Sequence, residues 1–566
     1  MRGWSEARFR RASPLDGLAI VLVALVVLVV FLDEPHVLPR TSAVLNLSPR
    51  MLPLYAGYSL LRMLAAYALS LGFALAAGYW AAASPAGRRL ILPALDVLQA
   101  VPILGFFPAA IFFFIRLFQG SLLGVEAAAV FLIFTSQAWN MAFSVYESLT
   151  TIPDDIVTAA RVSGLSGAVR WRRLLLPACV PRLVYNSMLS WAGGWYFLIA
   201  SEIIAVGRRS WVLPGLGSYI GESITLGRHG LAATGLVSLV AVIVLLNGFV
   251  WSPLESWSER FRYETSAGGE VRAPPLAQRL LRRAPLVRGG FVRAGRRVGE
   301  LVSRVAAVAS HVLSHLWIRP LLALAAVGGL SALVYGAVQA VEVLLRPLPS
   351  EAAAIPAALL LSFLRLLLAY AISLTWTIPV ACWVSRSAAR AGRLMPVVQV
   401  LASVPATAFF PVLVALVLWL RLDLNVSAVA LVLTGMQWYL LFNLVAAAQA
   451  MPEDLRELAR ATGARGFFYL RRFFLPAALP SLVTGSLTAW GGGWNALVLS
   501  ESVAAAGHTW SVKGIGTLLD QATYVKGDLQ MITLVIVSMV TAVLLLNRAV
   551  WRPLYAWASV RYRFDA

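Results

Sequence analysis

Long apolar runs recur along this chain, in greater number than any soluble core could absorb. Stretches able to cross a hydrocarbon layer of about 30 Å, roughly 20 residues as helix, fall near 15–32, 55–83, 93–118, 124–146, 178–206 and 231–251. A second set falls near 318–345, 355–384, 395–420, 426–448, 477–506 and 529–551. Lipid offers no hydrogen-bond partners, so backbone groups in such runs must satisfy one another, and the spanning form is the helix. The reading is an all-α polytopic membrane protein with two sets of six helices, about twelve in all. Composition agrees: 60% of the 566 residues are hydrophobic and 13% charged, with a mean hydropathy of +0.78.

The net charge of +21 does not point to nucleic acid, because the basic residues collect in loops between apolar runs. That is the pattern that orients spans, with positive loops inside. The N-terminus, Arg88-Arg89, the segment Arg161–Arg182 and the stretch after Trp251 are basic, whereas Asp33-Glu34 and the loop from Gln119 to Glu126 are not. An N-terminus in the cytoplasm satisfies all of these, and an even number of spans puts the C-terminus there too. The loop 207–230, with Arg208, Arg209 and Arg228, fits least well. The apolar run at 15–32 ends in Phe31-Leu-Asp-Glu-Pro35, which offers no small-residue cleavage site, so it reads as a first span. Cys179 and Cys382 lie in or beside apolar runs without repeat partners and read as small buried hydrophobes.

The two sets are copies. Ser59, Arg62 and Tyr67 recur as Ser362, Arg365 and Tyr370, and Pro102 with Phe106-Phe-Pro108 as Pro405 with Phe409-Phe-Pro411. Trp191-Ala-Gly-Gly-Trp195 followed by Glu202 recurs as Trp490-Gly-Gly-Gly-Trp494 followed by Glu501. Asn247, Trp251 and Pro253 recur as Asn547, Trp551 and Pro553. Six spans per copy give both the same orientation, a parallel repeat about an axis along the membrane normal. The expected divisions are a first repeat over 1–257, a basic cytoplasmic linker over 258–316 and a second repeat over 317–566. The linker from Ser258 to Arg304 carries eleven arginines and four acids with apolar residues interspersed; it reads as an interfacial helix at an anionic leaflet or as a flexible basic connector.

Each repeat also carries one polar helix–turn–helix between its fourth and fifth spans. The first runs from Pro153 through Asp155, Thr158, Ala159, Ala160 and Arg161 to Gly164; the second runs from Pro452 through Asp454, Glu457, Leu458, Ala459 and Arg460 to Gly463. Proline followed by acids suits a helix N-terminus, and glycine permits a sharp turn after it. The periodicity places Ile156, Ala159, Ala160 and Ser163 on one face, and Leu455, Leu458, Ala459 and Thr462 on its counterpart. Small alanines on such a face admit a close approach by another protein. Two copies in register present two docking elements to a partner in the water.

Within the spans, Arg62 and Arg365 sit near the outer ends of their helices, as do Glu202 and Glu501. A charge at such depth costs several kcal/mol unless it is paired or wet. Either Arg62 pairs with Glu202 and Arg365 with Glu501, or the arginines face the pathway, or all four snorkel to the interface. The segments with Trp191, Gly193, Gly194 and Trp195, and with Trp490, Gly492, Gly493 and Trp494, read as walls of a narrow passage between the halves, or alternatively as glycine-mediated helix packing. Tyr196 against Asn495, one residue after each second tryptophan, suggests that the halves make unequal contacts with a solute. No phosphate-cradling Gly-x-x-x-x-Gly-Lys-Ser/Thr occurs, no cluster has metal-ligand spacing, and no nucleophile–base set is evident. Catalysis by this chain itself is not expected.

One family resemblance gathers these features. Thr158-Ala159-Ala160, three residues, Gly164 and then Leu176-Pro177, with Glu457-Leu458-Ala459, three residues, Gly463 and then Leu475-Pro476, resemble the EAA loop of permease subunits of bacterial ATP-binding-cassette importers. The first copy has Thr158 for the usual glutamate and Leu165 for the alanine after glycine; the second has Leu458 for the first alanine. The serine–arginine start of the second span and the Pro…Phe-Phe-Pro third span are similar to the nitrate/sulfonate/taurine permease family, here in a duplicated, fused form. The resemblance implies coupling helices seated in two ATPase subunits, which bind the ATP and magnesium, and an extracytoplasmic substrate-binding protein. It also implies residence in the bacterial plasma (inner) membrane and a small oxyanion or organic sulfonate as cargo. The rival reading is a secondary transporter of two parallel six-helix halves, which would call for an acidic or histidine relay near the bilayer midplane.

Overall fold

The computed structural model describes residues 45–261 and 345–561, apart from 166, 207–208, 450, 452, 506–507 and positions within 101–120 and 405–418. The expected first spans of both halves, the basic linker, and the Pro102, Phe106–Pro108 and Pro405–Pro411 motifs lie outside the described residues. In the first half, α1 (Leu52–Ala83) is followed by α2 (Pro85–Ala100), α3 (Leu122–Thr150), α4 (Asp154–Val162) and α5 (Leu176–Tyr196). A hairpin of β1 (Ile203–Val206) and β2 (Arg209–Val212) then leads to α6 (Leu216–Thr225) and α7 (His229–Leu246). The second half repeats the order: α8 (Ile355–Ser385), α9 (Ala388–Ser403), α10 (Leu424–Gln449), α11 (Glu453–Ala461), α12 (Leu475–Ser500), β3 (Ser502–Ala505), β4 (His508–Ser511), α13 (Ile515–Asp520) and α14 (Leu529–Leu546).

Among the described residues, seven helical stretches are long and apolar enough to cross a membrane: Pro49–Ala83, Leu122–Thr150, His229–Ser258, Ser350–Val384, Leu424–Ala448, Gly466–Ser500 and Gln530–Ala558. They make this a multi-pass membrane protein. Two expectations need correction. The fold is not purely helical, since each half carries an antiparallel hairpin, Ile203 opposite Val212 and Ser502 opposite Ser511. The fifth spans, expected to reach 206 and 506, stop at Glu202, after a break at Phe197, and at Ser500. A short run of isoleucine, valine and alanine has no period that separates strand from helix, so the continuation looked helical.

Sequence explains several element ends. Prolines stand in the first turns of α1 and α8, where a missing N–H costs nothing. Asp528 caps α14 by accepting a hydrogen bond from the Met531 amide at 3.1 Å. Just before Pro177 and Pro476 the helix widens into a π-helical turn, Trp171–Leu175 and Leu470–Phe474. A proline cannot donate to the carbonyl four residues back, and a wider turn relieves its ring clash.

Within each half, the helix carrying the arginine packs along the fourth-span helix, which packs along the fifth: α1 on α3 on α5, and α8 on α10 on α12. The core of the first half gathers Met63, Ile133, Trp195 and Tyr219; that of the second gathers Leu366, Met436, Trp494 and Ile515. Hydrophobicity alone gives no attraction between helices in lipid, so shape and buried polar contacts carry the association.

Candidate functional site

The arginines and glutamates of the spans meet. Arg62 donates from Nη1 to Glu202 Oε1 at 2.9 Å, and Arg365 from Nη1 to Glu501 Oε1 at 2.6 Å. Both carboxylates have no solvent exposure. Ser59 and Ser362 hydroxyls donate to the same oxygens at 2.6 Å. The amides of Gly217 and Gly516, at the starts of α6 and α13, donate to the other oxygen at 2.7 Å. Each arginine reaches further, Arg62 to the Pro214 carbonyl and Arg365 to that of Lys513. One cluster therefore ties together the arginine helix, the end of the fifth-span helix and the segment after the hairpin, leaving no buried charge unpaired.

A third partner differs between the halves. Arg62 forks onto Glu126, with Nε and Nη2 at 2.6 and 2.7 Å from its two oxygens. Arg365 instead donates from Nε to Asn425 Oδ1 at 2.7 Å. Asn425 passes the contact on, donating through its backbone amide and side chain to Asp423 at 2.7 Å. Asp423 is fully exposed, and these two hydrogen bonds hold its carboxyl below the usual range. The rim acid is thus displaced by one residue-length rather than lost. Sequence reading missed Glu126 and Asn425; the signal was that both stand at matched places at the start of the fourth span.

The halves meet at a cavity of about 130 Å³, lined by residues from both. Its walls come in matched pairs: Thr135 and Thr434, Trp139 and Trp438, Gly193 and Gly492, Tyr196 and Asn495. Ser136, Asn140, Ser190, Tyr439 and Thr488 add hydroxyl and amide groups. No charged side chain is among the described lining residues. Arg62, Glu202, Arg365 and Glu501, expected at the pathway, therefore do not line this cavity; their clusters instead brace the helices around it.

Helical period sorts the tryptophan–glycine segments. Positions 192, 193 and 196 face the cavity, as do 491, 492 and 495. Trp191 and Trp195, about a hundred degrees away, lie outside this cavity: Trp191 meets Tyr67 and Trp251 edge-on or tilted, both at 5.7 Å between ring centroids. Trp490 meets Tyr370 and Trp551 in the same way. Trp195 and Trp494 are 1% exposed. Trp490 and Trp494 lie in the core of the second half, whereas Trp191 and Trp195 also line a smaller void of about 20 Å³ that Gln399, Ala402 and Phe442 of the second half help to close. Gly194 and Gly493 are core as well, since a Cβ there would lie 2.6 Å from Gln137 Nε2 or 2.7 Å from Leu366 Cδ2. Trp139 and Trp438, which supply the cavity's indoles, were not among the sequence candidates.

At the opposite end from the arginine clusters lie α4 and α11. Each ends in a left-handed glycine, Gly164 at φ 68° and Gly463 at φ 64°. The following amide closes the helix by reaching five residues back, Leu165 to Ala160 at 3.0 Å and Ala464 to Ala459 at 2.9 Å. Asp155, Thr158, Ala159 and Arg161 are exposed, and so are Asp454, Glu457, Leu458 and Arg460. Ala160 and Ala459 are not: they are 6% and 4% exposed. Ala160 packs on Ile152 and Leu174, and Ala459 on Ala464 and Phe473. The expected alanine face therefore divides, with one alanine anchoring the helix inward and the other residues turned to solvent. Val162, 83% exposed, and Phe467, 72% exposed, extend the apolar part of these outward surfaces. No group of three or more potential metal ligands occurs among the described residues.

Comparison with known proteins gives two matches to one family. The family described as "Binding-protein-dependent transport system inner membrane component" matches residues 70–251 and again 373–552. Among curated relatives, a probable ABC transporter permease protein of Brucella melitensis is 26% identical over 148 residues, 26% of this chain and 56% of the relative. The nitrate import permease protein NrtB of Leptolyngbya laminosa is 27% identical over 28% of this chain and 52% of its own length. The taurine transport system permease protein TauC of Escherichia coli is 25% identical over 35% of this chain and 68% of its own length. The chain thus spans about half the length of the first relatives it matches.

Proposed function

Since the chain belongs to the binding-protein-dependent transport system inner membrane components, and holds that unit twice in one polypeptide, we propose that it is the whole permease of an ATP-driven importer. The two exposed helices α4 and α11 receive two ATPase subunits from the cytoplasm, which bind ATP and magnesium. The hairpin side faces outward and receives a substrate-binding protein. The solute crosses through the cavity between the halves. Nitrate and taurine, named for two relatives, suggest a small oxyanion or organic sulfonate.

The observation that supports this most is the pairing of a shared cavity with two matched helices at one end of the molecule. Closure of an ATPase pair draws α4 and α11 together. Each is pinned to its half through Ala160 or Ala459, so the motion is passed to the fifth-span helices that line the cavity. A permease role asks for no chemistry on the solute from this chain. Its contribution is a neutral passage of hydroxyl, amide and indole groups, which binds an anion weakly enough to release it.

The test is reconstitution. The chain, co-expressed with candidate ATPase subunits, is placed in proteoliposomes with a candidate binding protein, and uptake of nitrate and taurine is followed. ATP-dependent, binding-protein-dependent uptake is expected. Transport driven by an ion gradient with no nucleotide present would establish the secondary-transporter reading instead.

A further inference from the structure

A hydrogen bond crosses the cavity between the halves. Asn495, on α12, accepts at Oδ1 from the backbone amide of Ile103 at 2.6 Å. Its Nδ2 donates to the Gly491 carbonyl one turn back at 3.0 Å, so the amide is held at both ends. Asn495 and Ile103 both line the cavity. Ile103 is helical, and its amide is directed at the Asn495 side chain of the other half. The equivalent place in the first half holds Tyr196, whose hydroxyl has no protein partner. Its ring packs instead against Val414 and Leu431 of the second half. One junction between the halves is therefore polar, whereas the described contacts of Tyr196 with the second half are apolar.

Resting on the anion-importer reading above, we infer that Asn495 is a latch whose carbonyl oxygen stands where a solute oxygen binds. The Ile103 N–H is a strong donor in a cavity with no charged side chain among its described lining residues. An anionic oxygen there needs donors, and a charge-assisted bond from a backbone amide is the kind such a passage offers. While the cavity is closed, Asn495 satisfies that donor. As the halves part and an oxyanion or sulfonate enters, one of its oxygens replaces the amide carbonyl, and the latch opens. The Tyr196 junction has no polar bond to exchange and slides on apolar contacts. The gate is one-sided, and Asn495 and Ile103 set its affinity for oxygen acceptors.

The experiment uses the full complex of permease, ATPases and binding protein in proteoliposomes, with nitrate and methanesulfonate as probes. Asn495→Asp keeps the acceptor and nearly the same shape but adds a negative charge where the solute oxygen belongs. It is expected to assemble normally and to raise KM for both anions about tenfold or more, an amount typical of one charge-assisted hydrogen bond. Asn495→Ala removes the latch and is expected to raise ATP hydrolysis in the absence of binding protein several-fold, without raising KM. If Asn495→Asp transports both anions with wild-type KM, the solute role is overturned. If Asn495→Ala co-elutes with its ATPases yet shows unchanged basal hydrolysis, the latch is overturned. Should the alanine variant fail to assemble, Asn495→Gln, which keeps the amide but displaces it by one carbon, carries the same hydrolysis measurement. A wild-type complex with no ATP-driven anion uptake overturns the parent reading and this inference together, whereas wild-type uptake with silent variants overturns the inference alone.

Discussion

Replacing Arg62 by glutamine should destabilise the first half more than Arg365→Gln destabilises the second. Arg62 is 5% exposed and faces two carboxylates, Glu202 with no exposure and Glu126 with 38% of its side chain exposed. Removing the arginine leaves Glu202 charged in a site sealed from solvent, with only Ser59 and two backbone amides to hold it. Breaking a buried pair in this way costs about 3–5 kcal/mol; the two-pronged fork onto the part-exposed Glu126 adds on the order of 0.5–1 kcal/mol more, the rest being screened by solvent. Arg365 faces one buried carboxylate and the neutral Asn425, so its loss strands one charge and belongs at the lower end of that range. For a unit of roughly 250 residues, each kcal/mol moves the melting midpoint by about 2–4 °C. Arg62→Gln should therefore lower it by on the order of 10 °C. Scanning fluorimetry of the purified protein in a mild detergent reads this directly, with Arg62→Lys as a control that keeps the charge but loses the fork onto Glu126. A midpoint for Arg62→Gln within about 2 °C of wild type, or a larger fall for Arg365→Gln, would refute the reasoning.

Other changes should separate packing from passage. A Cβ at Gly492 would lie 2.5 Å from the Gly435 carbonyl, whereas one at Gly193 meets nothing nearer than the Ser136 carbonyl at 3.7 Å. Gly492→Ala should therefore cut uptake and lower the melting midpoint, while Gly193→Ala leaves both near wild type, as parallel uptake and fluorimetry assays would show. Ala160→Asp and Ala459→Asp bury a carboxylate against Leu174 or Phe473, and each should abolish ATPase co-purification; Ala159→Asp, on the exposed side, should not disturb the helix itself, and circular dichroism with gel filtration would check this. The lowered Asp423 carboxyl stabilises the fold above the ordinary carboxylate range, and that contribution is lost as pH falls through its depressed value. Asp423→Asn should flatten the acid limb of a midpoint-against-pH curve, and an unchanged limb would contradict the Asn425 relay.

The duplicate architecture was plain in the residues because a repeated set of charges inside apolar runs has few explanations. Arg62 with Glu202, and Arg365 with Glu501, had to pair or face water, and they pair. The turn glycines 164 and 463 were legible for a similar reason, since a left-handed residue after a capped helix narrows the choice. Faces were harder. Trp191 and Gly193 are two positions apart, and nothing in the alternation of tryptophan and glycine says which side of the helix meets the other half. Ala159 and Ala160 posed the same problem, and only packing on Leu174 decides it. The hairpins escaped notice because Ile203–Val206 is as apolar as the helix before it. Asn425 escaped notice because its use of Asp423 is a matter of three-dimensional reach that no spacing records.

The difference between Tyr196 and Asn495 has a consequence for how such a gate can evolve. A permease assembled from two identical chains must carry the same residue on both sides of its axis, so any mutation there is made twice and tested twice. Joining the copies end to end releases that constraint. One flank can specialise in grip and the other in glide, each refined on its own, and selectivity becomes adjustable without disturbing the partner surface.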